Sequence, residues 1–240
     1  MTRQSNFLTS DRLIKGILTL NILVFAASLI LSGKGTRFTL NPFSAFSPSN
    51  SALIFLGATG TLPIDRFHAW WSLVSASWLH GSLVHILFNM SALIQIAPLI
   101  INEFGLYRMI IIYVLSGIAG FYLSYLAGVP LTIGASAPIC GLIGAALYFG
   151  KSRGGNFGQM VFKQTSGWIV GLVLFGLLVP SINNWGHGGG VLAGIGLGWS
   201  LGYLEKSPET LVHRFLAWVC MGVTLATLCW SVGTGIYLSL

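Results

Sequence analysis

A series of long apolar runs, separated by short polar segments, constrains the fold of this chain more than any other feature. Hydrophobic residues make up 54% of its 240 residues and charged residues only 7%, whereas about a quarter of the residues in soluble domains are charged. A helix needs about 20 apolar residues to cross roughly 30 Å of hydrocarbon. We therefore predict an all-α polytopic membrane protein, with spans at 13–32, 82–101, 107–127, 135–150, 166–182, 187–204 and 214–238.

The basic residues predict an orientation in the lipid bilayer. With the N-terminus in the cytoplasm, three of the twelve lie on the outer side (Lys34, Arg37 and Arg66) and the other nine on the cytoplasmic side. Such a positive-inside bias sets topology. Because the basic residues are scattered between apolar runs, we expect no nucleic-acid partner despite the net charge of +7. No transit peptide is visible, which favours a bacterial plasma membrane.

The spans divide the chain into a cytoplasmic tail at 1–12, a six-span core at 13–204, and a linker with an additional C-terminal span at 205–240. The outer-face connection at 33–81 is unusually long, and loops of this length are often functional. Its aromatic residues suit the lipid–water interface: Phe67, Trp70, Trp71 and Trp78.

Polar residues inside membrane spans are costly, so their positions are informative. His85 and Asn89 share one face of the second span, and Ser136 opens the fourth. From Ser136 to residue 150 a helix is only about 22 Å long, which is shorter than the hydrocarbon core. We therefore expect Ser136 to lie below the membrane surface. It would lie at a helix N-terminus, where free N–H groups favour an anion. Two alternatives remain open: Ser136 only caps its helix, and His85 and Asn89 only form interhelical hydrogen bonds.

Two stripes of small residues predict that Ser136 meets His187, which opens the sixth span. One stripe begins just before His187 and has a four-residue period: Gly186, Gly190, Gly194 and Gly198. The other follows Ser136: Ala137, Gly141 and Ala145. Faces of small residues let helix backbones approach closely in lipid. Packing these two stripes against each other would bring the serine and the histidine together at the outer helix ends.

A serine and a histidine in this position suit nucleophilic catalysis by a dyad. His187 would take the proton from Ser136 and return it to the leaving amine, and His85, Asn89 and the Ser136 N–H would bind the oxyanion. No acid is placed to complete a triad, since four of the five lie at cytoplasmic ends or tails and Asp65 lies in the outer loop. We expect no cofactor and no metal, because the chain lacks His-Glu-x-x-His and its three cysteines have no zinc or disulfide spacing.

Three segments together resemble the rhomboid family of intramembrane serine proteases. They are Trp78-Leu79-His80-Gly81-Ser82-Leu83-Val84-His85-Ile86-Leu87-Phe88-Asn89-Met90, then Gly134-Ala135-Ser136 with Gly141-Leu142-Ile143-Gly144, and Asn184-Trp185-Gly186-His187-Gly188-Gly189-Gly190. The resemblance covers 65–200. It implies a six-span core, the dyad Ser136 and His187, oxyanion stabilisation by His85 and Asn89, and cleavage of transmembrane protein substrates within or next to their spans.

Three positions depart from the family pattern. Ala137 stands where a glycine usually follows the serine, and its methyl is expected to crowd the oxyanion site. Cys140 occupies an often aromatic position, and Ser72 follows Trp71 in place of the usual arginine. These departures motivate one alternative function, a catalytically inactive rhomboid-like protein that binds membrane clients. A transporter using the face of His85 and Asn89 would be expected to contain an inverted repeat, and none is visible. Nothing in the sequence indicates an oligomeric state.

Overall fold

The computed structural model of the protein describes residues 9–39, 41, 44–179 and 182–239. This part of the chain forms ten α-helices: α1 (Ser10–Ser32), α2 (Asn50–Phe55), α3 (Thr61–Phe67), α4 (Ser72–Ser75), α5 (Leu83–Phe104), α6 (Leu106–Leu126), α7 (Ser136–Arg153), α8 (Gly155–Leu178), α9 (Asn184–Leu201) and α10 (Leu211–Ser239). The described residues of each of the seven predicted spans lie wholly or mostly in a helix, so the all-α fold is confirmed. The tail at 1–8, with Arg3, and residues 180 and 181 near the end of the fifth predicted span lie outside the described residues.

Five of the described helical segments are long and apolar enough to cross a membrane: Ser10–Gly35, Leu83–Phe104, Leu106–Leu126, Gly155–Leu178 and Leu211–Tyr237. The other two predicted spans, α7 and α9, have 18 residues each. Helix α7 lies at the centre, where α5, α6, α8 and α9 all pack on it. The short helix α7 is therefore enclosed by its neighbours, whereas α9 buries only its glycine face.

Helix α7 continues one turn beyond residue 150, where the predicted fourth span ends. Lys151, Ser152 and Arg153 continue α7, which ends where Gly154 adopts a φ of 67°. The helix is therefore about 27 Å long, close to the thickness of the hydrocarbon core. Its apolar part still ends at Gly150, because the last turn carries the two basic residues.

The described part of the long connection between α1 and α5 packs against the helices. Thr59 and Thr132 pair through their backbones, with N···O distances of 3.1 and 2.7 Å, and the Ser72 hydroxyl donates to Thr59 Oγ1 at 2.8 Å. Thus Ser72, which replaces a family arginine, fastens α4 to this pair. The interface prediction was wrong for Trp78, which is only 5% exposed and packs on Tyr113.

Helix α10 is fastened to the core through the segment that precedes it. Glu209 Oε1 accepts hydrogen bonds from the N–H groups of Tyr107 and Arg108 in the first turn of α6, at 2.7 and 2.9 Å, where a negative charge is favoured. The buried Arg108 guanidinium donates in return to the Ser207 and Pro208 carbonyls. These bonds hold α10 where it packs on α1, α2, α4 and α6.

Candidate active site

Ser136 is the first residue of α7, and its hydroxyl does not cap the helix. The N-cap position is Ala135, and no side chain accepts a hydrogen bond from the first-turn N–H groups. The preceding Gly134 adopts a φ of 127° and donates its N–H to the Ala76 carbonyl at 2.9 Å. The capping alternative is thereby excluded, and the half-buried Ser136 hydroxyl stands beside free N–H groups.

The two small-residue stripes pack against each other as predicted. Gly190 lies against the Ala137 carbonyl and Gly194 against the Gly141 backbone, and a Cβ placed on Gly198 would be 3.2 Å from the Ala145 Cα. Only Gly186 deviates, since a Cβ there would approach Ser124 of α6. Side chains larger than hydrogen at Gly190 and Gly194 would collide with the α7 backbone, so α9 approaches α7 this closely only because these positions are glycine.

This packing brings the start of α9, with His187, to the N-terminal end of α7. His187 lies three residues before Gly190 on the same face of α9, and Ser136 lies one residue before the Ala137 that Gly190 contacts. Within the described residues, no hydrogen bond joins the Ser136 hydroxyl to the His187 ring, and the buried His187 Nδ1 has no partner. Catalytic contacts are often longer in unliganded enzymes.

No described acid serves as a third member beside His187. Asp65 is exposed and accepts a hydrogen bond from the Tyr125 hydroxyl at 3.0 Å, and no described carboxylate hydrogen-bonds to the buried His187 Nδ1. Nor do any three of the described His, Cys, Asp and Glu residues cluster closely enough to hold a metal ion.

His85 points a hydrogen-bond donor at the space beside Ser136. Its Nδ1 accepts the Gly81 N–H at 3.2 Å, and a neutral imidazole with an accepting Nδ1 carries its proton on Nε2. A Cβ placed on Gly134 would lie 2.8 Å from that Nε2 and 3.5 Å from Ser136 Oγ, so both atoms border the same small space.

Asn89 and His80 support His85 from two sides. The buried Asn89 lies one turn further along α5, and its amide nitrogen donates to the His85 carbonyl at 3.0 Å, which leaves one amide hydrogen free. The His80 ring packs edge-on against His85 with centroids 5.1 Å apart. Burial, and secondarily the nearby His85, lower the pKa of His80 well below its usual value, so His80 stays neutral.

The Ala137 methyl is directed towards α6. Ala137 is 1% exposed and belongs to a cluster with Ala76 and Phe121, and its Cβ is 3.1 Å from the position of a Cβ placed on Gly120. The expectation that this methyl crowds the oxyanion site is therefore wrong. Cys140 is likewise buried, and its Cβ faces Gly190, one turn of α9 beyond His187.

The sequence analysis missed Asn183, which positions the start of α9. Its Nδ2 donates to Ser124 Oγ at 2.7 Å and to Thr132 Oγ1 at 2.8 Å, while its Oδ1 accepts the Gly186 N–H at 3.0 Å. The one available signal was an asparagine at a helix start, where it is a preferred N-cap. These bonds tie the helix that carries His187 to α6 and to the segment that leads to Ser136.

The described residues form an all-helical integral membrane protein with five apolar helices long enough to cross a membrane. In it, Ser136 Oγ and His85 Nε2 border one space at the N-terminus of α7. The Rhomboid domain family matches residues 68–204, more than half of the chain. The protein therefore belongs to the rhomboid family. Helices α1 and α10 lie outside the matched range.

Named relatives occur in a plant and in a bacterium. RHOMBOID-like protein 2 of Arabidopsis thaliana is 31% identical over 170 residues, which are 69% of this chain and 54% of the relative. RHOMBOID-like protein 7 of the same plant is 31% identical over 189 residues, 76% of this chain and 57% of the relative. Rhomboid protease GluP of Bacillus subtilis (strain 168) is 30% identical over 170 residues, 69% of this chain and 32% of the relative. The chain thus spans about half the length of these plant relatives and about a third of GluP.

Proposed function

We propose that this protein is an intramembrane serine endopeptidase that cleaves transmembrane protein substrates within or next to their spans. The observation that carries the proposal is the shared space at the start of α7, bordered by Ser136 Oγ and by the donor Nε2 of His85. The helix that carries His187 packs directly against this end of α7. Similarity to a relative named as a rhomboid protease supports the same activity.

In the proposed reaction Ser136 Oγ attacks the scissile carbonyl while His187 takes its proton. The developing oxyanion would receive the His85 Nε2–H, the remaining amide hydrogen of Asn89 and the Ser136 N–H. His187 then returns the proton to the leaving amine, which departs and leaves an acyl-enzyme on Ser136. Water attacks this ester with His187 again as the base, which releases the second product and restores the serine.

Helix α8 is the element best suited to admit a substrate. Only 17% of the residues in an apolar stretch of this helix are buried, which is the smallest share among the five candidate spans of the described chain. Its outer end contacts the start of α9, where Gly176 meets the Asn184 side chain. A substrate helix is hydrogen-bonded internally, so we expect cleavage where small or helix-weakening residues let it unwind.

Serine-directed labelling combined with cleavage of a single-span substrate tests the proposal. We expect a fluorophosphonate to label the parent protein, and we expect labelling and cleavage to disappear in Ser136→Ala. His187→Ala should lose cleavage as well. The matched control is Ser91→Ala, at an exposed serine of α5, which should behave like the parent. Cleavage by Ser136→Ala at the parental rate would sink the proposal.

The second candidate is a rhomboid-like protein that binds membrane clients without cleaving them. The absence of a hydrogen bond between the described Ser136 and His187 favours it. It predicts that clients co-purify with the parent and with Ser136→Ala alike, and that the parent shows no turnover. Turnover that depends on Ser136 would exclude it.

We also propose that the N-terminus is cytoplasmic and that Ser136 opens towards the outer face of a bacterial plasma membrane. The twelve Lys and Arg residues support the orientation. The proposed units are the tail at 1–12, the core at 13–204 and the C-terminal addition at 205–240. Reporter fusions at Ser207 and after the last residue test the topology, since a reporter active only outside the cytoplasm should be active only at the C-terminus.

A further inference from the structure

An apolar cleft separates α10 from α1 and α6. Its volume is about 230 Å³. Its walls are apolar on all three helices, with Gly16 and Leu20 from α1, Ile110 and Val114 from α6, and Met221 and Leu225 from α10. Along α1 the lining extends from Arg12 to Leu20, which is about 12 Å of helix. An elongated apolar space of this kind suits a hydrocarbon chain.

Two exposed guanidinium groups lie on the helix faces that form one end of the cleft. Arg12 lines the cleft itself. Arg214 stands over the Tyr107 ring at 5.5 Å. Arg214 precedes Met221 by two turns of α10, and Tyr107 precedes Ile110 by one turn of α6, so both share the faces of the cleft-lining residues. Basic groups at the membrane surface attract anionic lipid head groups.

The cleft wall includes two uncharged polar side chains, Tyr113 and Thr224, and neither requires a polar ligand in the cleft. The buried Tyr113 hydroxyl and Thr224 Oγ1 have no hydrogen-bond partner among the described residues, and the amide of Asn21 approaches Tyr113 without satisfying it. Both residues also line a second cavity of about 10 Å³ beside Ser77, and a volume of that size holds about one water molecule. Both hydroxyls therefore also border this small space, and apart from Arg12 the other residues that line the larger cleft are apolar.

We propose that this cleft binds one acyl chain of an anionic phospholipid whose phosphate lies between Arg12 and Arg214. The chain would fill an apolar void that otherwise leaves its lining without contact atoms. It would also pack on Trp78, which lines the cleft and lies two residues before His80. The bound lipid would therefore brace the segment that leads to His85. The site lies outside the proposed catalytic residues and does not depend on proteolysis.

Native mass spectrometry of the full-length protein, taken from nanodiscs of mixed phosphatidylglycerol and phosphatidylcholine, tests this inference. A Cβ added at Gly16 or at Gly171 meets no atom within 4 Å, but only Gly16 lines the cleft. We expect the parent and the control Gly171→Phe to retain one phosphatidylglycerol, and Gly16→Phe to retain none. Leu225→Trp, on the opposite wall, should lose the same lipid if Gly16→Phe fails to fold.

The charge requirement is tested separately. Each of Arg12→Gln and Arg214→Gln should lower the preference for phosphatidylglycerol over phosphatidylcholine about fivefold. Equal retention of the two lipids by the parent would overturn the proposal, as would an unchanged lipid in a folded Gly16→Phe. A parental dimer that Gly16→Phe abolishes with no loss of lipid would also overturn it, because a second copy would then occupy the cleft.

Discussion

Replacing Gly134 by alanine tests the geometry of the candidate site most directly. The added Cβ would lie 2.8 Å from His85 Nε2, so the ring would have to move by about 0.6 Å to reach an ordinary contact of 3.4 Å. Ser136 Oγ, at 3.5 Å, would be in ordinary contact with the methyl. The substitution therefore displaces the proposed oxyanion donor and leaves the nucleophile in place.

Two effects of different size follow from Gly134→Ala. The φ of 127° is a glycine conformation, so alanine should cost roughly 1–3 kcal/mol of stability. One oxyanion donor contributes about 10²- to 10³-fold to kcat, and misplacing a group by 1 Å costs about 10²-fold. A shift of about 0.6 Å should then lower kcat roughly 10- to 100-fold while fluorophosphonate labelling of Ser136 persists.

The variant Gly128→Ala separates the effect of backbone strain from the effect of displacing the His85 ring. Gly128 also has a positive φ, 78°, but a Cβ there meets no atom within 4 Å. Thermal unfolding and cleavage of a single-span substrate are measured for both variants in the same detergent. We expect both to lose stability and only Gly134→Ala to lose kcat strongly. Equal kcat in the two variants would refute the assignment of His85 Nε2 as an oxyanion donor.

Three further substitutions, two of them paired with a control variant, test contacts that hold the helices of the site together. Asn183→Ala removes three hydrogen bonds at the start of α9 and should lower the free energy of unfolding by about 2 kcal/mol. It should also lower kcat more than it raises KM. An unchanged kcat would contradict a positioning role. Glu209→Gln should lower thermal stability by about 0.5–2 kcal/mol, whereas Glu205→Gln, in an exposed ion pair with Arg153, should cost under about 1 kcal/mol. Gly194→Ala, which meets the α7 backbone, should cost about 1–3 kcal/mol in thermal unfolding, and Gly196→Ala, which meets nothing within 4 Å, should not.

Much of the fold could be predicted because hydropathy and small-residue periodicity are local patterns. The positions of α5, α6 and α10 follow from apolar runs, and the contact of Gly190 with Ala137 follows from matching stripes. The end of α7 could not be placed, since the charged residues after Gly150 still form a helical turn. The role of Asn183 was hidden because its partners lie 51 and 59 residues away in the sequence.

The sequence alone determined the class of protein, the residues that carry the proposed chemistry and the faces on which they lie. Membrane insertion leaves little choice of backbone structure, because every polar backbone group must find an internal partner. Only the tertiary structure decided how these residues are oriented. It freed Ser136 from capping, turned Ala137 towards α6 and oriented His85 through the Gly81 N–H. These features depend on distances of a few tenths of an ångström between separate helices and loops, which a pattern of residue types along one chain does not contain.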